Sequence, residues 1–73
     1  MKTFVKWLNN SNYNYVMSGD NFSTSYTIEG VQVIISNYRK GGVVQNAKGY
    51  IVFCGSVKEL ISTLESFIEG DFL

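Results

Sequence analysis

The stretch SVKELISTLESFIEG, residues 56–70, decides how the rest of the chain is read. Ser56 and Glu59 stand at the spacing of a capping box, in which the serine hydroxyl accepts from the Glu59 amide and the Glu59 carboxylate reaches back to the Ser56 amide. A helix is therefore expected to start immediately after Ser56. Val57, Leu60, Ile61, Leu64, Phe67 and Ile68 recur at the 3.6-residue helical period, while Lys58, Glu59, Ser62, Thr63, Ser66 and Glu69 fall on the other side. Gly70 stands where a left-handed residue would end the helix, with Phe72 and Leu73 expected to fold back on its last turn. A helix with one apolar stripe needs a sheet face to bury it, so the preceding residues should supply one.

They read that way. Phe22, Thr24, Tyr26 and Ile28 alternate with Ser23, Ser25, Thr27 and Glu29, giving an apolar face and a hydroxyl-rich face at period two. Val31, Val33 and Ile35 alternate with Gln32, Ile34 and Ser36 in the next run. With Glu29-Gly30 as a two-residue turn, Ile28 opposes Val31, Tyr26 opposes Val33 and Thr24 opposes Ile35, which puts the apolar members on one face. Glu suits the positive φ of such a turn poorly, which leaves a bulged variant open; the alternation argues against the bulge.

Lys2–Leu8 is expected to be a first strand, with Thr3, Val5 and Trp7 on one side and Phe4 and Leu8 on the other. Asn9–Asn12 then reads as a polar turn, Tyr13–Ser18 as a strand and Ser18–Asn21 as a second turn. Residues 39–49 form either a long loop or a short β-arm around Val43-Val44. Tyr50–Cys54 is the last strand, broken by Gly55. The expected architecture is α+β over residues 1–73 as a single domain: an antiparallel β-meander of four to five strands, with one C-terminal helix packed on one face. With no proline to blunt its edges, and only Lys2, Lys6 or the loop to discourage pairing, a homodimer through a sheet edge stays open.

Composition narrows function by exclusion. A chain of 73 residues builds a core worth only about 3–5 kcal/mol, which favours a partner or oligomer. A hydrophobic share of 45% against 16% charged residues marks a folded globule. No run has the length of a membrane span and the start lacks a signal-peptide pattern, so the expectation is a cytoplasmic protein with no membrane partner. There is no histidine and a single cysteine, Cys54, expected to be buried packing. Histidine-based triads and zinc sites are excluded, and no cofactor is expected.

Charge is uneven along the chain. Lys2, Lys6, Arg39, Lys40, Lys48 and Lys58 all precede residue 59, joined there by only Asp20 and Glu29, whereas Glu59, Glu65, Glu69 and Asp71 follow. The carboxylates are expected to be solvated rather than a catalytic pair, because nothing desolvates them. Gly41-Gly42 lacks the ending of a P-loop and reads as a turn. The chain is thus expected not to be an enzyme. The cluster with functional reach is Tyr38, Arg39 and Lys40 with Lys48 and Tyr50, which flank one loop and are expected to meet across a hairpin. Ile34, on the otherwise polar sheet face, is a candidate apolar anchor. Tyrosine and arginine are enriched at protein hot spots, and aromatics beside cations also stack bases and hold phosphates.

Tyr13–Gly19 with its Ser18-Gly19 end, Val31–Asn37 with its Ile34-Ile35 pair, Lys48–Ser56 and the LISTLESFIEG helix of residues 60–70 together resemble the strand-strand-strand-helix core of small phage-encoded type II anti-CRISPR inhibitors. That resemblance implies a phage or mobile-element inhibitor of a host nucleic-acid-processing or defence complex. Such inhibitors are acidic mimics of DNA, and this neutral chain lacks their dense carboxylate surface. The order of elements is also similar to single-strand-binding transcription coactivators, in which a Lys-Gly strand, here Lys48-Gly49, leads directly into a helix. The leading expectation is a non-enzymatic protein-binding module contacting a larger protein or complex. The alternative is a single-stranded nucleic-acid binder using the same basic and aromatic residues.

Overall fold

The computed structural model describes residues 2–36, 38 and 41–70, and the side chain of Lys2 lies outside that description. The elements run α1 (Lys2–Asn10), β1 (Tyr15–Gly19), β2 (Ser23–Ile28), β3 (Val31–Ser36), β4 (Gly42–Gln45), β5 (Ile51–Cys54) and α2 (Val57–Glu69). The strands form one antiparallel sheet in the order β1-β2-β3-β4-β5, a plain meander. This is the α+β architecture expected, with one added helix.

The central hairpin has the expected register: Ile28 opposes Val31, Tyr26 opposes Val33, and Thr24 opposes Ile35. Glu29 takes a φ of 50° and Gly30 a φ of 81°, so both turn residues are left-handed, as a type I′ turn requires. Glu29 accepts an unfavourable backbone because burying Ile28, Val31 and Val33 together outweighs it. Phe22 departs from the expected apolar face. It lies in the β1–β2 turn, exposed, where Asp20 Oδ1 accepts from the amides of Phe22 at 2.8 Å and Ser23 at 3.0 Å.

Helix α2 begins and ends as its sequence dictates. Ser56 Oγ accepts from the Glu59 amide at 3.3 Å, and Gly70 is left-handed with a φ of 88°. The returning half of the capping box differs from expectation: Glu59 Oε2 accepts from the Gly55 amide at 3.3 Å rather than from that of Ser56. The carboxylate therefore fastens the joint between β5 and α2 one residue earlier. Leu60, Leu64 and Phe67 are buried, flanked by Val57, Ile61 and Ile68. The expected fold-back of Phe72 and Leu73 lies outside the described residues.

The N-terminal strand expectation is wrong, and geometry gives the reason. Five strands at roughly 4.8 Å spacing make a sheet about 19 Å wide, whereas one helix covers about 10 Å. Helix α2 packs on β3, β4 and β5, leaving the β1–β2 side open. Residues 2–10 fill it as α1. Phe4 and Leu8, one helical turn apart, are fully buried, with Val5 and Trp7 packed beside them. The Phe4 ring meets Tyr26 edge-on at 5.4 Å between centroids, and Tyr15 Oη donates to Asn9 Oδ1 at 2.7 Å. Apolar residues on both sides of a supposed strand were the two edges of a single helical face.

One core lies between the helices and the sheet, built from Phe4, Leu8, Tyr26, Ile28, Val31, Val33, Ile35, Val44, Cys54, Leu60, Leu64 and Phe67. Cys54 is buried there as expected, its Sγ 3.6 Å from Thr63 Oγ1. Burial pushes the Tyr26 phenol above its usual range, with the neighbouring Tyr15 adding to the effect.

Candidate protein-docking face

Because both helices pack on the same side, the alternate residues of every strand face outward with nothing described above them. Register fixes the layout of that outer face. One row runs Ser18, Ser25, Ile34, Val43, Phe53, and the next runs Val16, Thr27, Gln32, Gln45, Ile51. The β1–β2 half is hydroxyl-rich. Toward β5 the face becomes apolar, with Ile34, Val43 and Phe53 as direct cross-strand partners and Ile51 beside Phe53 on the same strand. Phe53 is 81% exposed and Ile51 50% exposed. A phenylalanine this exposed forgoes most of the stabilisation its burial would give.

No described strand carries a charged residue. The charges of the described side chains lie on α1, on α2 and in the turns. The glycines at the start of β4 explain how it fits between its neighbours. Gly41 is left-handed with a φ of 85°, and a Cβ there would strike the carbonyl of Cys54; a Cβ on Gly42 would strike the carbonyl of Ile34. The pair is a close-approach device that lets β4 sit between β3 and β5, which supersedes its reading as a simple turn.

The expected site residues divide. Ile34 lies on the outer face as anticipated, half-buried between Ser25 and Val43. Tyr38 is 74% exposed at the β3–β4 connection, its ring 6.3 Å from that of Phe22. Lys48 and Tyr50 are exposed in the β4–β5 turn. Asn46, only 7% exposed, organises that turn: its Oδ1 accepts from the amides of Lys48 at 2.9 Å and Tyr50 at 3.0 Å. Its Nδ2 is buried without a hydrogen-bond partner among the described residues. Arg39 and Lys40 lie outside the described residues.

Tyr38 and the Lys48–Tyr50 turn do not meet across one hairpin. Strand β4 occupies the middle of the supposed loop and carries the chain about 10 Å from one end of the sheet to the other. What the fold brings together is Ile34, Val43, Phe53 and Ile51, of which only Ile34 was anticipated. A signal for the others existed: Val52 and Cys54 alternate with Ile51 and Phe53, so a sheet covered on one face must leave one of these two apolar pairs outside.

Among the described residues, no group of three His, Cys, Asp or Glu could bind a metal ion. The Asp20 carboxylate is held below its usual range by the Phe22 amide first and the Ser23 amide second. Among the described residues no helix is long and apolar enough to cross a membrane. No protein-family model matches the chain, and neither a curated protein nor a solved structure matches it.

Proposed function

We propose that this chain is a non-enzymatic protein-binding module that docks through the β3–β5 part of its open sheet face. The observation that carries the reading is the outward-facing row Ile34–Val43–Phe53, half-buried at Ile34 and Val43 and exposed at Phe53, on described strands that carry no charge. Aromatic and aliphatic anchors in a dry centre with a polar rim are what protein interfaces use, and here the Ser, Thr and Gln residues of the same face supply the rim. Tyr50, next to Ile51, and Ile34 remain contact residues in this proposal; Tyr38 and Lys48 belong to its periphery at opposite ends. The target class, a host nucleic-acid-processing or defence complex, rests on the resemblance to phage inhibitors alone.

The nucleic-acid alternative is less well supported. Single-strand binders hold phosphates with cations beside stacking aromatics, and no described strand carries a cation. Affinity capture with the wild type and with Val43→Lys tests the docking reading: a partner retained by the first and lost by the second is expected. A partner retained equally by both overturns it. Anisotropy of a labelled single-stranded oligonucleotide should show no saturable, salt-sensitive binding.

A further inference from the structure

Among the described residues the outer edge of β5 is unpaired as well as apolar. No described strand pairs beyond it, and it contains neither a charge nor a proline, the usual means of discouraging edge pairing. The direction of its unpaired backbone groups follows from the ladder. The Asn46 amide donates to the Tyr50 carbonyl at 3.1 Å, so residues 50, 52 and 54 turn their amides and carbonyls toward β4. By the antiparallel alternation, Ile51 and Phe53 turn theirs outward.

We propose that β5 pairs antiparallel with β5 of a second copy, centred on Val52. In this register Ile51 of each copy faces Phe53 of the other, and both are narrow pairs that exchange two backbone hydrogen bonds. The arrangement is isologous and closes on itself. It keeps the helices of both copies on one side and joins the two open faces into one sheet of twice the width. The apolar residues Phe53 and Ile51 of both copies then lie at the centre of that sheet, each flanked by its own Val43 and Ile34.

Two features favour a second copy over a charged strand, and a third favours β5 over β1. The edge satisfies its own side-chain and hydrogen-bond pattern in one register. An uncharged strand meets its copy without like-charge repulsion, whereas a charged partner strand would find no counter-charge on it. The other edge without a described partner, β1, fits less well: its exposed Val16 and Met17 point to opposite faces, so pairing there creates no continuous apolar surface.

This proposal goes beyond the docking reading and is tested apart from it, on the purified chain alone, by sedimentation equilibrium from the low micromolar to the high hundreds of micromolar. A concentration-dependent dimer is expected for the wild type. Ile51→Pro removes an outward amide that β4 does not use, and Phe53→Lys places two cations in the pair; each should weaken association at least tenfold. Val16→Lys, on the opposite edge, should leave it within about twofold. Circular dichroism melts on each variant establish that the monomer is folded, and Phe53→Lys serves if Ile51→Pro does not fold. A wild type that stays monomeric throughout overturns the proposal, as does a dimer that survives Phe53→Lys or is lost in Val16→Lys.

Discussion

The two faces of the sheet are built from alternate residues of the same five strands, and they have opposite fates. On the covered face Tyr26, Ile28, Val33 and Val44 meet Phe4, Leu8, Leu60 and Leu64, and all are buried. On the open face Ser18, Ser25, Thr27 and Gln32 give way toward β5 to Ile34, Val43, Phe53 and Ile51. The β1–β2 part is mostly hydroxyls around an exposed Val16, whereas the β3–β5 part sets four apolar residues beside Gln32 and Gln45. Stability pressure explains the covered face. It gives no reason for Phe53 to be phenylalanine, and the functional proposal rests on that difference.

Substitutions can break or sharpen the contrast. Leu64→Ala, at the centre of the covered side, should destabilise by about 2–5 kcal/mol through lost burial and a residual cavity. Chemical denaturation measures it, and a loss under about 1 kcal/mol would mean that α2 does not seal the sheet as described. Ser56→Ala removes the hydroxyl that accepts from Glu59 and should cost about 0.5–2 kcal/mol, read from the same midpoint. Phe53→Ala, despite deleting a larger side chain than either, should change monomer stability by no more than about 0.5 kcal/mol, because the ring is in solvent. A cost near that of Leu64→Ala would erase the distinction between the faces.

The smallest expected effect is that of pH at the β1–β2 turn. The Asp20 carboxylate is held below its ordinary pKa by accepting from two backbone amides. A group depressed in the folded state contributes stability that is complete above its unfolded pKa and is lost as pH falls through the folded value. Urea midpoints of the wild type and Asp20→Asn should therefore converge as the solution is acidified below about pH 4. A constant gap down to the most acidic point would show that the turn does not depend on the ionised carboxylate.

How legible each part was depended on how many patterns the residues could satisfy. Residues 22–36 alternate long enough to fix both register and turn, and Ser56, Glu59 and Gly70 mark the ends of α2 by side-chain chemistry alone. Residues 3–8 satisfied two periods at once: Thr3, Val5 and Trp7 alternate like a strand, yet Phe4, Val5, Trp7 and Leu8 form one helical face. Only the width of a five-stranded sheet, a tertiary quantity, decides between them. Strand β4 was legible as an option because Val43-Val44 is β-prone, while the role of Gly41-Gly42 depends on carbonyls distant in sequence. The same limit applied to the site. Ile34 stood out against polar neighbours, whereas Phe53 sat among four apolar residues whose alternation does not say which pair the helix covers.

The joints at either end of β5 bear on how it would bind. Before the strand, Asn46 holds two amides of the turn; after it, the Gly55 amide is tied to Glu59 and Ser56 caps α2. Little chain remains between these anchors to move independently. Association normally loses free energy to the ordering of loops and side chains at the contact. For β5 most of the backbone share of that loss was incurred when the chain folded, so a strand arriving at this edge meets a template already set in its bound shape.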